Sequence, residues 1–81
     1  MRELIKFSAT WCGPCKTQKK IMEGLDLGIE LKEVDVDEQP ELASQYNIRG
    51  VPTLVLIEDD KEVKRHSGIL QVKQLEEFVK W

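Results

Sequence analysis

The sequence predicts a small α/β domain with the element order β-α-β-α-β-β-α. Two observations carry this prediction. Short runs with a period of two in their apolar residues alternate with segments of helical spacing. One later run, Thr53-Leu54-Val55-Leu56-Ile57, is almost continuously apolar, which suits a central strand covered on both faces. The 81 residues allow one domain, taken as residues 1–81, with no repeats, linkers or low-complexity tracts. A domain of this size buries only about 60–65% of the surface its unfolded chain exposes, so its stability margin is thin.

Each element follows from its residues. Leu4, Ile5 and Phe7, interrupted by Lys6, give the first strand. Pro14 suits the first turn of a helix, where its missing N–H is not needed. From Cys15 to Leu25 the spacing is helical, with Ile21, Met22 and Leu25 on the apolar stripe and Lys16, Lys19, Lys20 and Glu23 on a solvated face. Gly24 and Gly28 mark the end of that helix. Ile29 to Val36 predicts a second strand with Ile29, Leu31, Val34 and Val36 apolar among acids and lysines. Asp37 to Pro40 turns into a helix whose buried stripe is Leu42, Ala43 and Tyr46, closed by Asn47 to Gly50. Glu58-Asp59-Asp60-Lys61 reads as a hairpin turn without the spacing of a calcium loop, and Glu62 to His66 as the return strand. Gly68 breaks that strand, and Val72, Leu75, Phe78 and Val79 form the inner stripe of a terminal helix. The sequence assigns no place to Trp81. Crossover helices imply parallel pairing in the first half, and the hairpin implies antiparallel pairing in the second.

Composition removes several functions. Twelve basic residues against 15 acidic give a net charge of −3, which argues against nucleic acid as a partner. No run of about 18 apolar residues offers a membrane span, and the first residues lack the body of a signal peptide. The reading is of a cytoplasmic chain and a monomer. Five aromatic residues provide no broad stacking surface. His66 reads as a surface residue and Met22 as core.

The two cysteines, Cys12 and Cys15, are too close to staple distant segments. Secreted domains held together by disulfides usually carry roughly four to eight. Cys-X-X-Cys between a strand and a helix has three readings. As a redox dithiol, Cys12 gains from the partial positive charge of the helix N-terminus, which favours thiolate, the nucleophilic form. Cys15, three residues on, shares its helix face and can attack a mixed disulfide. Gly13 is expected to permit a tight entry and Pro14 to stiffen the loop. Lys16 is a further candidate to favour the Cys12 thiolate. As half of a zinc site, the pair lacks partners, because the chain adds one histidine and no cysteine, so only a site shared between two copies remains. The third reading is inert core packing, for which Trp11, Gly13 and Pro14 are poor companions.

The segment Trp11-Cys12-Gly13-Pro14-Cys15-Lys16 resembles the active-site motif of the thioredoxin family. Val36-Asp37-Glu38-Gln39-Pro40 resembles the acidic turn before that family's next helix, and Ile48-Arg49-Gly50-Val51-Pro52-Thr53 resembles its cis-proline loop. With Gly68 and the helix after it, the resemblance covers essentially the whole chain. It implies a thioredoxin fold, here in minimal form, with a four-stranded mixed sheet flanked by three helices. It implies thiol–disulfide exchange that reduces protein disulfides, with Cys12 attacking and Cys15 resolving. Pro52 would be cis and face the disulfide, and the Val51 backbone would pair with an extended substrate segment. Trp11 would shield the site with its indole N–H on Asp37. Taken alone, Trp11 reads as a partly buried hydrophobe and Asp37 as a helix-start acid. No bound cofactor is implied beyond the redox-active Cys12–Cys15 disulfide. The implied partners are a flavin-dependent, NADPH-using thioredoxin reductase and disulfide-bearing proteins, ribonucleotide reductase being one candidate.

Three departures from the family pattern matter. The chain starts at the strand before the motif, where thioredoxins place another strand and helix first. Lys6 stands where they usually have a buried aspartate, and Glu33 where they commonly have its lysine partner, so the pair is reversed. Strand parity supports an ion pair of Lys6 with Glu33 beneath the site, in which Glu33 or neutral Lys6 handles the proton of Cys15. The alternative is two solvent-facing charges. Finally, His66-Ser67-Gly68-Ile69 has one glycine where glutaredoxins present a pair, and Gly13-Pro14 differs from their motif, which argues against dependence on glutathione. A glutaredoxin-like or ribonucleotide-reductase-dedicated redoxin is the rival enzyme reading, and a redox-sensing binding module the non-enzymatic one.

Overall fold

A computed structural model describes residues 1–80; the question of Trp81 lies outside them. The elements are β1 (Arg2–Ser8), α1 (Gly13–Met22), β2 (Glu30–Asp35), α2 (Pro40–Gln45), β3 (Thr53–Glu58), β4 (Lys61–Ser67) and α3 (Val72–Phe78). The four strands form one sheet in the order β2-β1-β3-β4. β1 runs parallel to β2, and α1 makes the crossover between them. β3 is antiparallel to both β1 and β4. The expected mixed sheet with three helices is therefore what the chain forms. At the β3–β4 turn, Asp59 and Asp60 both take positive φ, 51° and 68°, the geometry that lets a two-residue hairpin follow the twist of its strands.

The period of two in β1 sorts the core into two layers. Leu4 faces Leu54 and Leu56 of β3 together with Met22, Leu75, Phe78 and Val79, so α1 and α3 cover this side. Ile5 and Phe7 face the other way, with Val34, Val55 and Ile57, and Leu42 of α2 and Tyr46 at its C-terminal cap close over them. The Phe7 and Tyr46 rings meet at 5.6 Å between centroids. β3 sends side chains into both layers, which is why its apolar run is unbroken. Burying each such side chain is worth about 1.5–3 kcal/mol.

Several boundaries differ from the sequence reading. α1 covers Gly13–Met22 rather than Cys15 to Leu25. It starts earlier because Cys12 itself is the N-cap. It stops earlier because Glu23 turns extended and Gly24 takes a φ of 74°. Val72 is 41% exposed because it opens α3, leaving Leu75, Phe78 and Val79 as the inner stripe. Leu31 is exposed, since β2 is an outer strand whose one fully buried residue is Val34. Leu42, Ala43 and Tyr46 of the α2 stripe are half-buried rather than buried.

One buried polar residue escaped the sequence reading. Gln18 lies on the core side of α1, donates to the Leu70 carbonyl at 3.0 Å and accepts the Leu70 N–H at 2.7 Å. It clamps α1 to the segment before α3. Gln18→Leu leaves both Leu70 groups unpaired in the interior and is expected to cost about 2–4 kcal/mol. Urea unfolding checks this as a lower midpoint at unchanged slope. On the surface, hydrogen bonds from Arg65 hold the Glu62 carboxyl below its ordinary value of 4.5. A lowered carboxyl contributes stability above its unfolded-state value and loses it as pH falls through the folded one. The small stability advantage over Glu62→Gln is thus expected at neutral pH and vanishes in acid, as parallel unfolding curves across that range will show.

Candidate active site

β1 ends at Ser8, and the chain turns through Ala9, Thr10 and Trp11 into α1. Cys12 takes an extended backbone conformation at the N-cap, and its sulfur accepts the N–H of Cys15 at 3.1 Å. A helix start exposes N–H groups without internal partners. Cysteine here fills the role that serine or aspartate usually fills. An acceptor in that position is favoured most when it carries negative charge, so the geometry favours a thiolate at Cys12 once the pair is reduced. In this structure Cys12 and Cys15 are disulfide-bonded, their Cα atoms 5.2 Å apart. Each is only 4% exposed, packed with Ala9 and with half-buried Val36 and Val51.

Pro14 occupies the first turn, as expected. Gly13 does not serve a tight entry. Its φ is not left-handed, and an added Cβ would meet nothing within 4 Å. It leaves the exposed start of the helix bare of side chain.

The cis peptide bond joins Val51 to Pro52. The Val51 carbonyl oxygen lies 3.7 Å from the Cys12 sulfur. The loop is tied on both sides. The Thr53 hydroxyl donates to the Gly50 carbonyl at 2.7 Å, and the Gly68 N–H donates to the Pro52 carbonyl at 2.9 Å. Gly68 takes a φ of 104°, a conformation that side-chain-bearing residues rarely adopt. Its place in the sequence thus acquires a cause: it lets the end of β4 reach back to the cis-proline loop.

Trp11 is 69% exposed, and its indole N–H donates to Asp37 at 2.8 Å. The plain readings of both residues fail here. Trp11 is exposed rather than partly buried, and Asp37 lies ahead of the start of α2, whose N-cap is Gln39. Asp37 is placed by the preceding turn, where the Asp35 carboxylate accepts the N–H groups of Asp37 and Glu38 at 2.8 and 3.3 Å.

Lys6 and Glu33 meet. They are direct neighbours in the β1–β2 register, and Lys6 Nζ lies 3.0 Å from Glu33 Oε2. The pair is lopsided: the lysine side chain is 4% exposed and the glutamate 53%. Both line a groove of about 260 Å³ together with Ser8, Thr10, Cys15 and Lys16. Lys16 thus borders the groove that Cys15 lines. His66 is half-buried on β4, opposite Leu54. Among the described residues, no group of three or more His, Cys, Asp or Glu side chains is placed to hold a metal ion. No described helix is long and apolar enough to cross a membrane.

With this geometry in hand, known proteins give a consistent comparison. A family model described as Thioredoxin matches residues 2–81. The chain is 42% identical to a thioredoxin of Chlamydia trachomatis over 69 residues, covering 82% of this chain and 68% of that one. It is 39% identical to a thioredoxin of Bacillus subtilis over 80 residues, covering 94% and 77%. Among solved structures, the thioredoxin of Fasciola hepatica superposes with a TM-score of 0.87 at 38% identity, covering 96% of this chain and 77% of the other. A mutant thioredoxin from Halobacterium salinarum gives 0.86 at 36% identity, covering 98% and 72%.

The Trp11–Asp37 bond makes its own prediction. Asp37→Ala removes the acceptor, so the indole N–H signal is expected to exchange with solvent faster in NMR. Because the bond is exposed, stability is expected to fall by no more than about 1 kcal/mol.

Proposed function

The chain belongs to the thioredoxin family, and on that premise we propose that Cys12 is its attacking thiol and Cys15 its resolving thiol. The family and the cysteine pair make it a thiol–disulfide oxidoreductase that reduces protein disulfides. The observation that supports the division of roles is the N-cap. The Cys12 sulfur is the acceptor at the start of α1, and Cys15 is the residue whose N–H it takes. An extended substrate segment lies along the Val51 backbone beside Pro52, with Trp11, Gly13 and Pro14 bordering it and Asp37 holding Trp11.

In the first step the Cys12 thiolate attacks one sulfur of the substrate disulfide. That bond breaks, and the other substrate sulfur leaves as thiolate and takes up a proton. In the second step Cys15 loses its proton and attacks the Cys12 sulfur of the mixed disulfide. The remaining substrate sulfur leaves, and two electrons have passed from the dithiol to the substrate. The product is the disulfide form described above. Thioredoxins generally work with a reductase and with disulfide-bearing substrates and need no cofactor of their own. For this chain we assign the reductase role to a flavin-dependent thioredoxin reductase drawing on NADPH, and the substrates to cytoplasmic proteins, ribonucleotide reductase among the candidates. Residues 1–81 act as one domain and as a monomer.

Insulin reduction tests the reading. Turnover is expected with a thioredoxin reductase and NADPH. Turnover only with glutathione and its reductase would move the assignment to a glutaredoxin-like redoxin, and failure with both, after chemical reduction, to a binding module. Cys12→Ser is expected to abolish turnover. Cys15→Ser is expected to stall after the first step and accumulate a mixed disulfide, seen as an adduct mass that a thiol reductant removes.

A further inference from the structure

The groove beside the disulfide holds a charge that thiol exchange alone does not require. Lys6 is a buried cation on a strand whose other inward residues are apolar. Its partner Glu33 sits at the solvent side of the groove, and Cys15 lines the same space while Cys12 does not. The other charged groups around it are Lys16 and Lys19 of α1 and Asp35 of β2. The two lysines are exposed and therefore screened by water and salt. Asp35 is engaged with the N–H groups of Asp37 and Glu38. Lys6 is thus the buried, weakly screened charge in the groove, and charges act over longer range where water is excluded.

We propose that Lys6 is a positioning residue for the resolving step: its buried ammonium stabilises the Cys15 thiolate, and Glu33 limits that effect by holding the ammonium from the solvent side. The inference rests on the reading of Cys15 as the resolving thiol. In that step the Cys15 proton leaves to water through the open groove, its thiolate forms the bond to the Cys12 sulfur, and the Cys12–substrate bond breaks with the electron pair departing on the substrate sulfur. A buried cation in the groove that Cys15 lines favours the first of these events. Removing Glu33 should strengthen the effect and removing Lys6 should reverse it, so the two variants move Cys15 in opposite directions. A purely structural pair predicts no such opposition.

The test isolates Cys15 in a Cys12→Ser background and follows thiolate absorbance against pH. Lys6→Met is expected to raise the titration midpoint by about one pH unit, roughly tenfold less thiolate at a fixed pH below it. Glu33→Gln is expected to lower the midpoint, and Lys6→Arg to keep it near the parent. An unmoved midpoint in both variants, or movement in the same direction, overturns the proposal. If Lys6→Met does not fold, Glu33→Gln decides alone, because its site is half exposed: a midpoint that stays or rises overturns the proposal. Insulin reduction by the unaltered chain is a separate readout. Its loss would count against the reductase reading and leave the sign of these shifts standing, and the reverse holds equally.

Discussion

β1 is hydrogen-bonded along both edges and buried on both faces, and the rest of the molecule is arranged around that constraint. Its parallel pairing with β2 requires α1 as the crossover. Its antiparallel pairing with β3 places the run Thr53–Glu58 at the centre of the sheet. Its alternation divides the core, sending Leu4 towards α1 and α3 and Ile5 and Phe7 towards α2. Its end delivers the chain to the turn where Cys12 caps α1. Because every residue of β1 has a fixed face, Lys6 has no route to the surface except along its own side chain. The cation in the interior is a direct consequence of its place in the strand.

The proposed chemistry uses parts that the fold already requires. A crossover helix must begin somewhere above the sheet, and its first N–H groups need acceptors. Placing sulfur there makes the cap and the nucleophile one atom. The cis-proline loop leads into β3 and is tied to the end of β4 by the Gly68 N–H, so it is fixed from two strands at once. The sulfur pair thereby sits between a helix start and a pinned loop, nearly out of water.

Much of this was legible in the residues. The element order, the central strand and the hairpin follow from periodicity and turn chemistry. The reactive pair and its surrounding residues came from short motifs, and the cis bond at Pro52 and the Trp11–Asp37 bond from the resemblance they carry. The resemblance set Lys6 across from Glu33, and strand parity supported it. What escaped was mostly the contribution of neighbours. That Cys12 is the cap, so that α1 starts at Gly13, depends on a backbone conformation that no propensity encodes. Gln18 looked like one more polar residue among lysines, although its spacing from Cys15 and Met22 puts it on their face. Val72 and Leu31 obeyed the apolar pattern yet stayed in water, because a helix's first residue and an outer strand have less above them to be buried against. For the same reason sequence could not say that only the lysine of the ion pair would be covered.

The outer strands have a further consequence. β2 and β4 both offer unpaired backbone groups along their free sides, a template for adding another strand. On β2, Glu30, Lys32 and Glu33 are exposed, and on β4, Lys61, Glu62 and Arg65 are. A second chain laid along either side must crowd or desolvate those charges. An 81-residue sheet protein with a solvent-facing tryptophan thus carries its own defence against fibrous self-association, written into the strands that are least enclosed.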